Sequence, residues 1–173
     1  FSKIKSNAGE IKINYSARKN PDNYHYEMVR CKDCSLLFAS SIYEDKKIYN
    51  LYEISEFNYE KELNGLRETY SNCLKRVDNL IYNKKRFLDI GCGNGFLLEK
   101  AKELGWQEVF GVELSKDAIN KSKSAIKKNI HQGSFESSNY KSNYFNVIFF
   151  AMVIEHFVEI NKCLSKIYRI LAP

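Results

Sequence analysis

The sequence predicts an α/β protein in which a parallel sheet carries helices on both faces. From residue 86 onward, short apolar runs alternate with amphipathic stretches, as in strand–helix repeats. One of these runs leads into Gly91, Gly93 and Gly95, a pattern that suits a tight turn from a strand into a helix. A nearly continuous apolar run over residues 145–153 is typical of a strand buried on both faces.

The first part of the chain has a different pattern. Residues 11–15 alternate like a short strand, and residues 24–30 and 36–38 predict two more strands around a pair of cysteines. Apolar residues then recur every three or four positions over residues 55–82, which predicts an amphipathic helix. We therefore expect a small β-rich segment over residues 1–50 and a second domain over residues 51–173.

The elements of the second domain follow in order. Gly105 is a plausible helix stop, and Ser115 is a helix cap. The predicted strands are 87–90, 109–114, 129–133 and 145–153, and the predicted helices are 96–104, 115–127 and 160–171.

Composition narrows the class of protein. With 173 residues and 44% apolar side chains, the chain suits one compact domain with a small appendage. The net charge of +6 is spread along the chain, so we expect solvated surface, and nucleic-acid binding is not favoured. No stretch approaches a membrane span. Five irregularly spaced cysteines favour reduced thiols in the cytoplasm.

The glycine turn favours one ligand chemistry over another. Turns of this kind bind both dinucleotides and S-adenosylmethionine (SAM), but here the last glycine, Gly95, comes one residue too early for the dinucleotide pattern. Asp89 would repel a pyrophosphate and would suit an ammonium and a sulfonium. Glu113 ends the second strand, where an acid can accept hydrogen bonds from ribose hydroxyls. The alternative for Glu113 is an exposed acid at a strand end.

Four segments in order carry a resemblance to a known family. Residues 87–95, 111–115, 144–148 and 154–157 resemble the successive motifs of class I SAM-dependent methyltransferases. The resemblance implies a Rossmann-like three-layer sandwich, with SAM across the carboxyl ends of the strands. It places the SAM site on Asp89, Gly91, Cys92, Gly93, Gly95, Glu113, Leu114, Ser134, Phe135, Ala151, Met152 and Tyr59.

Some positions depart from the family pattern or allow a second role. Ser134 stands where the family often has an Asp beside the adenine, so that contact would be weaker or come from backbone. Tyr52, Phe57 and Tyr59 come from a region that closes over SAM in many relatives, and ordinary helix packing is the alternative. Phe145-Asn146 replaces the usual Phe-Asp pair.

The resemblance also implies that the sheet is truncated after the fourth strand and the helix that follows it. The fourth strand would then lie at an exposed edge, which is an aggregation template unless something covers it. We therefore expect either a longer natural protein or self-association through this edge.

Glu155 and His156 are the candidate catalytic residues. His156 follows the fourth strand, on the side of the acceptor, and could remove a proton from a hydroxyl. Glu155 could support the pocket or orient His156, and packing at the next helix is the alternative role of His156. Residues 151–154 lack the polar-Pro-Pro-aromatic signature of enzymes that methylate base nitrogens, which favours a small-molecule acceptor.

Cys31 and Cys34 form one Cys-x-x-Cys pair. A structural zinc site normally needs four ligands, and the pair resembles the second half of a zinc-binding segment found in some methyltransferases. We expect no stable zinc on this chain alone and a zinc ion in a longer protein.

The leading hypothesis is a SAM-dependent methyltransferase that acts on a hydroxyl of a small molecule. The alternatives are an RNA methyltransferase and a non-catalytic SAM-binding module. A nicotinamide oxidoreductase is least favoured, because Asp89 opposes a pyrophosphate and the spacing of the last glycine is wrong.

Overall fold

The fold is that of a computed structural model, which describes residues 28–39, 45–54 and 63–173. The N-terminal elements are β1 (Met28–Arg30), β2 (Leu37–Ala39), α1 (Asp45–Glu53) and α2 (Leu63–Asp78). They are followed by β3 (Arg86–Ile90), α3 (Phe96–Glu103), β4 (Glu108–Glu113), α4 (Lys116–Asn120), α5 (Ser124–Lys127), β5 (Ile130–Gln132), β6 (Val147–Phe149), a 3-10 turn (Ile154–His156) and α6 (Ile160–Ile170).

The central sheet has four described strands in the order β5-β4-β3-β6, and every neighbouring pair is parallel. In this register Asp89 lies opposite Gly111 on one side and Phe149 on the other. The carboxyl ends of the strands therefore meet at one edge, where ligands bind in open α/β sheets. The predicted α/β class is confirmed.

Side chains from successive residues of β3 enter two different cores. Phe87 packs with Leu74 of α2, Leu97 of α3 and Trp106, while Leu88 packs with Cys163 and Ile170 of α6. Alternation along a strand sends neighbouring side chains to opposite faces. The result is the predicted arrangement of helices on both faces of the sheet.

The predicted helix over 115–127 is divided in two. Lys123 has an extended backbone, with φ −64° and ψ 143°, so α4 ends before it and α5 begins after it. Ser122 and Ser124 flank this residue, and serine hydroxyls compete with the helical hydrogen bonds. The break lets Ile126 pack in the α2–α3 core.

The apolar run over 145–153 is a strand only in its middle, at Val147–Phe149. The chain then turns, with a φ of 55° at Met152, and enters the 3-10 turn. Phe150 and Val153 pack against the core around α6. The end of the run is apolar because it covers the core. The apolar run is therefore longer than the strand that it contains.

β6 lies at one edge of the described sheet, as the resemblance implied. The only described pairing on its outer side is an isolated parallel bridge between Phe145 and Leu171. Among the described residues, no helix has the length and apolar character needed to cross a bilayer.

The N-terminal region confirms one hairpin and adds one helix. β1 and β2 pair antiparallel around Cys31 and Cys34, but α1 was not predicted and crosses residue 50. The division into residues 1–50 and 51–173 stays a prediction. The predicted strand at 11–15 and the residues Phe57 and Tyr59 lie outside the described residues.

Candidate functional site

The glycine turn after β3 requires its glycines. Gly91, Gly93 and Gly95 have φ angles of 73°, 55° and 76°, which L side chains rarely adopt. A Cβ on Gly91 would lie 2.4 Å from Cγ2 of Val153, and one on Gly95 would lie 2.5 Å from Cδ1 of Ile126. The backbone thus passes close to its neighbours on both sides.

Glu113 connects this turn to the end of β4. Its Oε2 accepts from the backbone N–H of Gly93 at 2.8 Å, and its Oε1 accepts from the N–H of Ser115 at 2.7 Å. Burial raises the pKa of Glu113, and the hydrogen bonds from these amides oppose that rise. The carboxylate is held in one orientation and each oxygen keeps acceptor capacity.

A cavity of about 190 Å³ opens beside Glu113. Its lining combines the ends of β3 and β4, the loop after β5, the turn after β6 and one face of α1. The residues are Tyr49, Tyr52, Ile90, Gly91, Val112, Glu113, Leu114, Ser115, Ala118, Gly133, Ser134, Phe135, Glu136, Met152, Val153, His156 and Phe157.

The predicted SAM-site residues divide between this wall and the layer behind it. Gly91, Glu113, Leu114, Ser134, Phe135 and Met152 line the cavity, whereas Asp89, Cys92, Gly93, Gly95 and Ala151 do not. The Cys92 thiol is buried against Gly111, where an added Cβ would lie 2.5 Å from the sulfur. Tyr59 lies outside the described residues.

Asp89 is a buried carboxyl group behind the turn, with 5% of its surface exposed. Burial raises its pKa well above the ordinary value of 3.8, and the charge of Glu113 raises it further. A cation at this point would favour the ionised carboxylate. In the absence of such a cation, the raised pKa favours the protonated, neutral carboxyl group.

His156 lines the cavity, and its partner comes from α1. The Tyr52 hydroxyl lies 2.9 Å from Nδ1 of His156, and the two rings meet edge to face. Partial burial lowers the pKa of His156, and the neighbouring Glu155 opposes that effect. The imidazole is therefore mainly neutral near pH 7, since its ordinary pKa is already 6.5.

Sequence reasoning missed several cavity residues, among them Tyr49, Glu136 and Phe157. The α1 pattern was hidden because residues 45–50 were assigned to the β-rich segment. Glu136 follows Ser134 and Phe135 directly, so their loop was the available signal. Phe157 closes the segment 154–157 that was already singled out.

Cys31 and Cys34 lie at the turn of the β1–β2 hairpin. The backbone amides of Cys34 and Asp33, and the Cys34 side chain, lower the pKa of the Cys31 thiol, which favours the thiolate that binds metals. The described part of the chain contains no cluster of three or more metal-binding side chains. The hairpin thus places two thiols at one turn.

A matching family model and two curated relatives of this chain are described as methyltransferases. Residues 88–173 match the family model described as "Methyltransferase domain". A ribosomal protein L11 methyltransferase from Prochlorococcus marinus is 30% identical over 66% of this chain. The chain spans only 36% of that relative and 25% of a second one, from Shewanella halifaxensis.

Solved structures agree with the fold. A SAM-dependent methyltransferase from Archaeoglobus fulgidus is 27% identical, with a TM-score of 0.54 over 66% of this chain and 52% of its own. A proposed SAM-dependent methyltransferase from Methanococcus maripaludis, 18% identical, matches the fold with a TM-score of 0.57 over 78% of this chain and 63% of its own. Residues 88–173 therefore belong to the methyltransferase domain family, and the sheet and helices have the fold of SAM-dependent methyltransferases.

Proposed function

We propose that this chain binds SAM in the cavity beside Glu113 and supports methyl transfer to a hydroxyl of a small molecule. The observation that carries the proposal is the fixed carboxylate of Glu113, held between Gly93 and Ser115 where β4 ends. A carboxylate in that position can accept hydrogen bonds from two ribose hydroxyls.

The remaining residues fit the parts of SAM. Gly91 lines the cavity with backbone that has no side chain, and Phe135 and Leu114 form an apolar wall. Asp89 lies behind the glycine turn. The apolar wall suits the adenine, and Asp89 suits the ammonium of the methionine part. Bound SAM would supply an electrophilic methyl group on a sulfonium.

The cofactor test uses calorimetry with S-adenosylhomocysteine, the demethylated product of SAM. We expect wild type to bind and Glu113→Gln to bind at least roughly 10-fold more weakly, because charged acceptors make stronger hydrogen bonds. Glu108→Gln is the control, since Glu108 lies at the opposite end of β4 and pairs with Arg86. No binding by wild type, or equal affinities for the two variants, would contradict the proposal.

We assign proton removal from the acceptor to His156. Its lowered pKa provides the neutral base, and Tyr52 holds the ring through Nδ1. If Nδ1–H donates to the Tyr52 oxygen, Nε2 keeps its lone pair for the acceptor proton. Glu155 is exposed beside His156 and acts on it only through its charge.

The base is tested by the pH dependence of methyl transfer. We expect the acidic limb for wild type below the ordinary histidine pKa of 6.5, because protonation removes the base. His156→Asn should lower kcat by about 100-fold, and Tyr52→Phe should have a smaller effect. A His156→Asn enzyme with wild-type turnover would rule out this role.

A protein acceptor is the second candidate, because curated relatives are named for ribosomal protein L11. RNA is the third, supported by the net charge of +6. Transfer of labelled methyl groups to small hydroxyl compounds, to ribosomal protein L11 or to RNA separates these acceptors. The lack of the polar-Pro-Pro-aromatic signature at residues 151–154 supports the first. SAM binding without transfer to any of them would favour a non-catalytic module.

We also propose that Cys31 and Cys34 supply two of the four ligands of a structural zinc ion in the full-length protein. The lowered pKa of Cys31 and the hairpin geometry support this assignment. Metal analysis of the full-length protein should find zinc that Cys31→Ser removes. The five free thiols support a cytoplasmic location.

A further inference from the structure

Lys166 is a cation directed at the loop after β5. Its Nζ donates to the carbonyl of Glu136 at 3.0 Å, to the carbonyl of Ser138 at 2.5 Å and to the carbonyl of Phe135. The Ser138 hydroxyl lies 3.2 Å from the same nitrogen. An ammonium has three N–H donors, so these acceptors use its full capacity.

The loop is shaped so that these carbonyls converge. The N–H of Ser137 donates to the carbonyl of Ser134, and the N–H and hydroxyl of Ser138 donate to the carbonyl of Phe135. Carbonyl dipoles that point at one spot repel each other and need a cation or donors there. Lys166 also lies 4.6 Å from the centre of the Phe135 ring, within the range of a cation–π contact.

The other side of this loop faces the cavity. Ser134, Phe135 and Glu136 line it, whereas Lys166 does not. One turn earlier on α6, the Cys163 thiol donates to Oε1 of Glu136 at 3.2 Å. α6 therefore contacts the loop from behind, through two residues on one helix face.

We infer that Lys166 is a positioning residue that holds residues 134–138 in the shape required to receive the planar ring of the nucleoside ligand. The inference rests on the proposed function for its ligand. Lys166 touches the carbonyls of the loop and the Phe135 ring from outside the cavity. It acts through Phe135 and Glu136.

The chain offers a matched control on the same helix. Lys162 lies one turn before Lys166, its side chain is 76% exposed, and it pairs only with the exposed Glu159 among the described residues. Lys162→Met and Lys166→Met make the same chemical change, but only the second removes donors from the loop. Lys166→Gln keeps two amide N–H donors and should fall between wild type and Lys166→Met.

The first measurement is amide hydrogen exchange at Ser137 and Ser138 without ligand. We expect exchange in Lys166→Met to be roughly 10-fold faster than in wild type, with Lys162→Met unchanged. The second is calorimetry with S-adenosylhomocysteine, in which Lys166→Met should lose about 10-fold in affinity. Circular dichroism and thermal unfolding test whether each variant is folded. If Lys166→Met does not fold, the same exchange and affinity measurements on Lys166→Gln test the inference.

The outcomes separate the two proposals. If wild type does not bind S-adenosylhomocysteine, the proposed function fails, and hydrogen exchange still decides whether Lys166 holds the loop. If exchange in both Lys166 variants equals that in Lys162→Met, Lys166 is not a positioning residue. Equal affinities of the Lys166 and Lys162 variants in a protein that binds would also overturn the inference.

Discussion

Asp89 and Glu113 are carboxyl groups on neighbouring strands, the first buried and the second partly buried, and they differ in what surrounds them. Glu113 accepts backbone N–H groups on both oxygens, which stabilise its charge. At Asp89, burial is the larger cause of the raised pKa, and the charge of Glu113 raises the pKa further. A buried acid whose charge is not compensated destabilises the ionised folded state, so ionisation of Asp89 opposes the stability of the ligand-free fold.

Asp89→Asn should therefore stabilise the protein without ligand. Because the folded-state pKa is raised above 3.8, the folded protein holds this proton more tightly than the unfolded chain. Wild-type stability then falls as pH rises from 3.8 through the raised pKa. Asparagine does not titrate, so the difference in free energy of unfolding between Asp89→Asn and wild type, measured with urea, should grow from about pH 5 to about pH 8.

The control is Asp33→Asn, because Asp33 is exposed in the β1–β2 turn. It should change unfolding stability little at any pH. We also expect Asp89→Asn to weaken binding of S-adenosylhomocysteine, since the ligand ammonium loses an anionic neighbour. An Asp89→Asn advantage that shrinks with rising pH would show that the carboxyl is ionised and stabilising in the folded protein.

At the scale of elements, the start of α3 depends on a helix that follows much later. Gly95 precedes α3 with φ 76° and no side-chain cap, and its missing Cβ leaves room for Ile126 of α5. The break between α4 and α5 is what allows Ile126 to enter that core. The turn and the broken helix are therefore one packing unit.

Gly95→Ala tests this unit. We expect it to lower the free energy of unfolding by about 2–3 kcal/mol, from positive-φ strain plus the contact with Ile126. Gly105→Ala is the control, because Gly105 has φ 92° and nothing within 4 Å of an added Cβ, so only about 1 kcal/mol of strain applies. Chemical denaturation measures both.

A double variant separates strain from crowding. Adding Ile126→Val shortens the side chain that contacts the new methyl group. In a protein that carries Ile126→Val, Gly95→Ala should therefore lower the free energy of unfolding by less than it does in wild type. The cost of Gly105→Ala should not change. Equal costs of Gly95→Ala with and without Ile126→Val would show that backbone strain alone is responsible.

At the scale of the whole molecule, two surfaces are open among the described residues: the outer edge of the sheet and one face of α6. On the outer side of β6, the described residues make only the Phe145–Leu171 bridge, which lies just before the strand. On α6, Ile160, Leu164 and Tyr168 are 42%, 40% and 85% exposed and lie on one stripe at four-residue spacing. We propose a second copy of the chain as the partner of these surfaces, because an open sheet edge and exposed apolar side chains both favour association.

Light scattering of the chain at increasing concentration should show dimers or larger species. A Leu164→Lys, Tyr168→Lys double variant should shift the chain toward monomer, because two charges on this stripe oppose its burial. Tyr82→Lys is the control, since Tyr82 is fully exposed in the loop after α2. A wild-type chain that stays monomeric at every concentration would rule out self-association through this edge.

The predictability of the site followed the range of the interactions involved. Gly91 and Glu113 were identifiable because strand ends, glycine turns and caps are local patterns that leave marks within a few residues. Lys166 and Tyr49 could not be identified in this way, because the residues around a lysine on an amphipathic helix or a tyrosine in a polar segment do not indicate its role. Each acquires its role from a partner in another element.

The sequence by itself determined the parallel α/β class, the glycine turn and the acid that ends β4, since strand periodicity and turn chemistry act over short distances. The tertiary structure decided which predicted residues face the cavity and which lie behind it. It also decided that α1 brings Tyr52 to His156 and that α6 brings Lys166 to the loop after β5. These contacts join residues about 100 and 28 positions apart, and only packing of the elements around the sheet makes them neighbours.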